Sequence, residues 1–159
     1  MFGEKEIEIL CIDDDPDDVE IFGEAVSLTG LKAHIKNVKN DVELYAYFKS
    51  SLIPHVIFLD GSVTCHYENN CLEEIKAQQH LAEIPVVILS TIGMDNRVNN
   101  MYERGAVLFL IKPASLSELT NILKTTLTID WRKADINKVK QDYSEKYPEM
   151  KFPKAISNL

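Results

Sequence analysis

Ile7-Glu8-Ile9-Leu10-Cys11-Ile12-Asp13-Asp14-Asp15-Pro16-Asp17-Asp18 reads as a strand that breaks off at a block of acids and turns at once into a helix. The apolar run Ile9 to Ile12 is too short for a buried helix and is bounded by charge, as a strand covered on both faces would be. Pro16 falls where proline is tolerated, in a first helical turn, and Asp15, Asp17 and Asp18 favour that helix N-terminus. Three further runs repeat the pattern. Val56-Ile57-Phe58-Leu59 ends at Asp60, Val86-Val87-Ile88-Leu89 at Ser90-Thr91, and Val107-Leu108-Phe109-Leu110-Ile111 at Lys112-Pro113. In an open parallel sheet the carboxyl ends of the strands share one edge, and ligands bind there. The pattern therefore predicts that three carboxylates, a hydroxyl and an ammonium meet at one site.

Outward from these runs the chain alternates strand and helix. Val19, Phe22, Ala25, Val26 and Leu28 form an apolar helical face that Thr29-Gly30 ends. A short second strand is expected over His34 to Val38. A helix capped by Asp41 should carry Leu44, Tyr47 and Phe48, and a third helix should carry Leu72, Ile75 and Leu81. Val98, Met101 and Tyr102 mark a helix that stops at Gly105. Leu116, Leu119, Ile122, Leu123 and Leu127 recur at helical spacing after a cap at Ser115 or Ser117. Five strand-helix units predict an α/β fold, a doubly wound five-stranded parallel sheet with helices on both faces.

Composition narrows the function classes. The 159 residues, 45% hydrophobic and 26% charged, suit one globular domain. No run approaches the roughly 20 apolar residues that cross a bilayer, and Met1-Phe2-Gly3-Glu4-Lys5-Glu6 lacks the basic and apolar parts of a secretory signal. A cytoplasmic address without a membrane role is the expectation. The formal charge of -8 is uneven: from Asp130 onward seven basic residues face five acidic ones, so the preceding body carries the excess acid. An acidic body repels phosphate backbones, which argues against direct nucleic-acid binding. The stretch 130–159 is too short for a typical DNA-binding output domain.

Cys11, Cys65 and Cys71 are odd in number and do not suggest a disulfide framework. Cys65, His66, Glu68 and Cys71 invite a zinc reading, but the spacing is not the short paired spacing of structural zinc sites. His34, His55 and His80 read as surface histidines.

The chemistry lies at the strand ends. Adjacent Asp13 and Asp14 would repel each other and resist burial unless a cation or protons compensated them. With Asp60 they make an oxygen-rich pocket suited to Mg2+. Lys112 can pair with Asp60 or a phosphoryl oxygen, and the Ser90 hydroxyl can donate to that oxygen. Aspartate is a competent nucleophile for an acyl phosphate, and Asp60 stands alone at the central strand. No Gly-rich phosphate loop supports an independent nucleotide enzyme.

Ile9 to Asp15, Val56 to Asp60, Ile84 to Thr91, Gly105-Ala106 and Phe109 to Pro113 together resemble a two-component response-regulator receiver domain, of the small stand-alone bacterial kind. The resemblance covers nearly all of residues 6–128 and implies a flavodoxin-like sheet of strand order 2-1-3-4-5. It implies a regulator rather than an enzyme. Asp60 would accept a phosphoryl group from a sensor histidine kinase or a histidine phosphotransfer protein. Asp14 and Asp60 would hold Mg2+ directly, with the Ser62 backbone carbonyl as third ligand and Asp13 acting mainly through water. Ser90 and Phe109 would be switch residues that alter binding of a downstream protein target. The face made by the fourth helix, fifth strand and fifth helix would be the surface for a homodimer.

The departure from the family is the loop Gly61-Ser62-Val63-Thr64-Cys65-His66-Tyr67-Glu68-Asn69-Asn70-Cys71, which is longer than usual and lacks the customary Met-Pro pair. It favours an alternative, a degenerate receiver-like scaffold that binds partners without phosphorylation. By the resemblance, Ser62 and Ile92 would border the path of the hydrolytic water, and an apolar Ile92, unable to orient water by hydrogen bonding, implies a persistent aspartyl phosphate. The extension 129–159 can form a helix over Lys133 to Lys146, with Ile136, Val139 and Tyr143 on one face, which either caps the receiver or serves as a partner-binding segment; a docked turn or helix, then a loose end and no output domain of its own, is the expectation.

Overall fold

The computed structural model describes residues 5–65, 69–91 and 100–148. Its strands are β1 (Ile7–Ile12), β2 (Ala33–Val38), β3 (Val56–Asp60), β4 (Thr64–Cys65), β5 (Asn69–Asn70), β6 (Val86–Ser90) and β7 (Leu108–Ile111). The helices are α1 (Pro16–Leu28), α2 (Asp41–Lys49), α3 (Cys71–Lys76), α5 (Leu116–Leu127) and α6 (Ile136–Lys146), and the helical residues 100–103 are labelled α4. Five strands form an all-parallel sheet in the order β2-β1-β3-β6-β7. Leaving out the separate β4-β5 hairpin, this is the expected order 2-1-3-4-5.

The apolar runs work as strands because each is buried on both faces, and side chains alternate between those faces. Leu10, Ile12, Ile57, Leu59 and Ile88 join one cluster with Leu44 and Phe48 of α2 and Leu72 and Ile75 of α3. Their neighbours Ile9, Cys11, Phe58, Val87 and Leu89 join the opposite cluster with Phe22 and Val26 of α1 and with α5. The sheet is thereby held rigidly, and its carboxyl edge is a fixed platform.

Helix boundaries follow local chemistry. The Asp15 side chain caps α1 by accepting from the Asp17 and Asp18 amides, and Gly30 closes the exit at φ +76. Asn40, not Asp41, caps α2: its side chain accepts from the Glu43 amide at 2.9 Å, while Asp41 is the first helical residue. Ser115 caps α5 through the Glu118 amide. Gly105, at φ +108, follows the helical residues 100–103, whereas Val98 lies outside the described residues. Leu81 is buried but does not belong to α3. The helix ends at Lys76, and Leu81 sits in a following turn that the Lys76 ammonium ties back through the Ala82 and Ile84 carbonyls. His34 and His55 are exposed, as expected, but His80 is half-buried.

The segment read as a loop contains an antiparallel hairpin in which Cys65 pairs with Asn69. That reversal brings Cys71 back beside Cys65, at a Cα separation of 5.0 Å, and the two are joined in a disulfide. The expectation of no disulfide is corrected, and the zinc reading loses both thiolates; His66 and Glu68 lie outside the described residues. Cys11 alone remains a free thiol. Closing so short a loop stabilises by about 2 kcal/mol in the chain-entropy account. Urea unfolding with and without reductant should show that loss, whereas identical midpoints would argue that the bond does not form.

The C-terminal helix α6 packs against α5. Tyr143 is buried, and its hydroxyl lies 2.8 Å from Thr126 Oγ1 of α5. Thr126 spends its own proton on the Ile122 carbonyl, so Tyr143 is the donor. Val139, Tyr147 and Trp131 pack against the same core cluster, and the Tyr147 ring centre lies 5.6 Å from that of Tyr143. Lys140 places its ammonium 4.6 Å from the ring centre of Tyr102 in α4, so α6 reaches from α5 towards α4. The end expected to be loose lies outside the described residues beyond Pro148.

Candidate functional site

Backbone pairing continues past the strands and fixes the residues that follow them. The Asp13 amide donates to the Val38 carbonyl, Gly61 to Leu89 and Lys112 to Ser90, at 3.1, 3.0 and 2.8 Å. Asp13, Asp60, Ser90 and Lys112 consequently stand along one edge, where the four runs were expected to converge.

Lys112 is the centre of the arrangement. Its Nζ lies 3.2 Å from Asp13 Oδ2, 2.9 Å from Asp18 Oδ2 and 3.1 Å from Asp60 Oδ2. An ammonium has three protons, and each here has a carboxylate to receive it. Asp13 Oδ1 accepts from the Asp15 amide at 3.0 Å. Asp60 Oδ1 accepts from both the amide and the hydroxyl of Ser62, at 2.9 and 3.0 Å. Each oxygen of Asp60 is thus hydrogen-bonded, one to Ser62 and the other to Lys112.

These contacts divide the two buried acids. Burial pushes the Asp13 carboxyl up to about 6, and the Asp60 charge adds to the rise against the pull of the Asp15 amide and Lys112. Burial would raise Asp60 as well, yet the Ser62 amide, the Lys112 ammonium and the Ser62 hydroxyl outweigh it and hold Asp60 below its ordinary value. Burial acts against the Lys112 charge, but Asp18, Asp13 and Asp60 together hold the ammonium above its usual range. Burial, with the Asp13 charge, pushes the Cys11 thiol up to about 12, so it remains an unreactive thiol. The site therefore holds an ionised Asp60 next to an acid that is reluctant to ionise.

Asp13, Asp18 and Asp60 offer carboxylate oxygens within 4.8 Å of one another. An all-oxygen donor set of this kind fits a hard divalent cation such as Mg2+. Asp14 is exposed and outside that trio. Ser62 is exposed at the start of the loop, and Ser90 is buried. Phe109 is completely buried, and its amide donates to the Tyr102 hydroxyl at 2.8 Å. Ile92 lies outside the described residues. Asp13, Asp18, Asp60 and Lys112 line a pocket of about 300 Å3 whose apolar wall includes Phe22 and Phe58.

Asp18 was missed as a site residue because an acid in a first helical turn is already explained by the helix dipole. Its position carried a signal nonetheless. A helix that starts three residues after Asp13 turns its first-turn side chains back over the strand edge. Ser62 was read for its backbone carbonyl and as a neighbour of the hydrolytic water, whereas its hydroxyl and amide are what reach Asp60.

The sequence model described as the response regulator receiver domain matches residues 9–124. The chain belongs to this family. Among curated relatives, two-component response regulator ORR6 of Oryza sativa subsp. japonica is 28% identical over 122 residues, covering 76% of this chain and 71% of its own. Among solved structures, the phosphorylated cyanobacterial phytochrome response regulator RcpA has a TM-score of 0.67 at 25% identity, covering 77% of this chain and 91% of its own. The Mn2+-bound form of response regulator Rcp1 matches with a TM-score of 0.67 at 21% identity over 81% of this chain and 97% of its own, a likeness of fold. The chain is thus similar to plant as well as cyanobacterial response regulators, which weakens the expected bacterial character. Among its described residues no helix is long and apolar enough to cross a membrane.

Proposed function

We propose that this receiver accepts a phosphoryl group on Asp60 from a sensor histidine kinase or a histidine phosphotransfer protein, in a Mg2+-dependent reaction that alters binding of a downstream protein. The observation that carries the proposal is the state of Asp60: buried at the end of the central strand, paired with Lys112 at 3.1 Å and held ionised. A carboxylate is the nucleophile this chemistry needs.

An Asp60 oxygen forms the new O-P bond as the N-P bond of phosphohistidine breaks, and the departing imidazole takes up a proton. Lys112 offers charge to the phosphoryl oxygens, and the Ser90 hydroxyl donates a hydrogen bond to one of them. By the family resemblance Asp14 and Asp60, the Ser62 carbonyl, and Asp13 through water would hold Mg2+, and this requires the exposed Asp14 to join a donor cluster that now consists of Asp13, Asp18 and Asp60. When bound, Mg2+ offsets the carboxylate charge and polarises a phosphoryl oxygen. Ser90 and Phe109 carry the change to the partner face, since a ligand or modification shifts an equilibrium only through differential contacts with its two states. The Tyr102 hydroxyl on the Phe109 amide supports that role, because it joins the strand to α4. Residues 6–128 form the receiver in this reading and 129–159 its extension.

The test is incubation with Mg2+ and acetyl phosphate followed by intact-mass measurement. One added phosphoryl mass is expected in the wild type and none in Asp60→Ala. A wild-type mass that stays unchanged, in a protein that binds no Mg2+, would turn the reading to a scaffold that does not accept phosphate.

A further inference from the structure

The three acids around Lys112 are not equivalent. Side-chain exposure is 7% for Asp13, 10% for Asp60 and 33% for Asp18, so Asp18 alone stands at the rim. It also makes the shortest of the three contacts, 2.9 Å. Its backbone is fixed, since the Asp18 amide donates to the capping Asp15 carboxylate and Pro16 begins the same turn. Asp17, its neighbour in that turn, is exposed and supplies the dipole with the same charge. Helix stabilisation accounts equally for both residues. It does not account for an Asp18 carboxylate turned onto a lysine 94 positions away.

We infer that Asp18 is a positioning residue for phosphoryl transfer, holding the Lys112 ammonium at the outer side of the acid cluster. The inference rests on Asp60 being the phosphoacceptor. With only Asp13 and Asp60 as partners, the ammonium would settle between the two buried carboxylates, where it pairs with the nucleophile and crowds the space an incoming phosphoryl group must enter. The outer carboxylate counters that pull and keeps the positive charge facing the side from which the donor approaches. As negative charge gathers on the phosphoryl oxygens, Lys112 exchanges its bond to Asp18 for one to the phosphoryl group. No atom of Asp18 takes part in bond making or breaking.

The experiment compares Asp18→Asn, Asp18→Glu and the charge-matched control Asp17→Asn in the full chain, using acetyl phosphate as donor. At saturating Mg2+, Asp18→Asn should slow Asp60 phosphorylation about tenfold, while Asp18→Glu recovers to within about twofold and Asp17→Asn matches the wild type. Equal rates in Asp18→Asn and Asp17→Asn would overturn the inference. So would a loss in Asp18→Asn that higher Mg2+ removes, since that outcome makes Asp18 a metal-holding group. If the wild type accepts no phosphate, the proposed function fails, and the role of Asp18 in transfer is overturned with it. The contact itself is then judged by melting temperature. Asp18→Asn should lower it in the wild-type background and raise it in Lys112→Met, where one fewer carboxylate is left uncompensated. Equal shifts in the two backgrounds would show that Asp18 does not hold Lys112 at all.

Discussion

Lys112→Met is expected to lower the stability of the metal-free protein at pH 8 by about 2 to 4 kcal/mol, the scale of a buried charge network that loses one partner. The cause is geometric. A single ammonium lies within 3.2 Å of three carboxylates, and two of them, Asp13 and Asp60, are buried. Methionine fills a similar volume and leaves their mutual repulsion without compensation. The sign with pH is definite. The folded protein holds Lys112 more firmly protonated than the unfolded chain does, so its contribution is complete below the ordinary lysine range and fades only in strong alkali. The deficit of the variant disappears at the other end of the scale, as acid protonates the carboxylates and there is nothing left to compensate. Urea unfolding from pH 4 to pH 8 should therefore show wild type and variant converging in acid. A constant gap across that range would assign the loss to packing of the lysine stem instead. Mg2+ should narrow the gap at pH 8 if the acids hold the metal as proposed.

The parts of the fold that could be read from the sequence are those where burial imposes a composition. Strands β1, β3, β6 and β7 lie inside the sheet or against helices, and water-excluded backbone with both faces covered demands near-continuous apolar side chains. The polar residues Asp13, Asp60, Ser90 and Lys112 then mark where each strand leaves the interior. Helix α5 was legible for a related reason: Leu119, Ile122, Leu123 and Leu127 face one side at helical spacing and are all buried. Hairpin β4-β5 has two residues in each strand, too few to establish a period of two. The Cys65–Cys71 bond depended on that hairpin, because spacing alone does not bring two sulfurs together.

The site was legible in its strand-borne members and illegible where a side chain's direction decides. Asp13 and Asp14 are adjacent and chemically identical, yet one is buried against Lys112 and the other is exposed. Asp17 and Asp18 repeat the contrast on the helix. In each pair the sequence pattern is the same, and what differs is which residue the backbone turns towards the strand edge. Helix and strand periodicity predict faces well inside an element, but both pairs lie at or beside the junction of β1 and α1, where neither period holds.

Asp13→Asn is expected to make the metal-free protein more stable than the wild type at neutral and alkaline pH, and not in acid. Burial pushes the Asp13 carboxyl up to about 6 in the folded protein from an ordinary value of 3.8. The folded state therefore binds the proton more tightly than the unfolded state, and ionising Asp13 costs stability as pH rises through that interval. Asparagine resembles the protonated acid and escapes the cost. The pH-dependent part of the difference is bounded at about 3 kcal/mol, from about 1.4 kcal/mol for each pH unit between the two values. The attraction of Lys112 for the Asp13 carboxylate is already part of this balance, since it lowers the value that burial raises. The net effect is a gain of up to about 3 kcal/mol above pH 6 that shrinks to nothing below about pH 4. Unfolding free energies measured at intervals between those limits decide the matter. A wild type that stays the more stable protein at pH 8 would mean that Lys112 compensates Asp13 fully, and that its carboxyl ionises in the fold as readily as in water. If the gain is found, the same substitution should weaken Mg2+ binding, since the charge that burdens the empty fold is the charge a divalent cation would use.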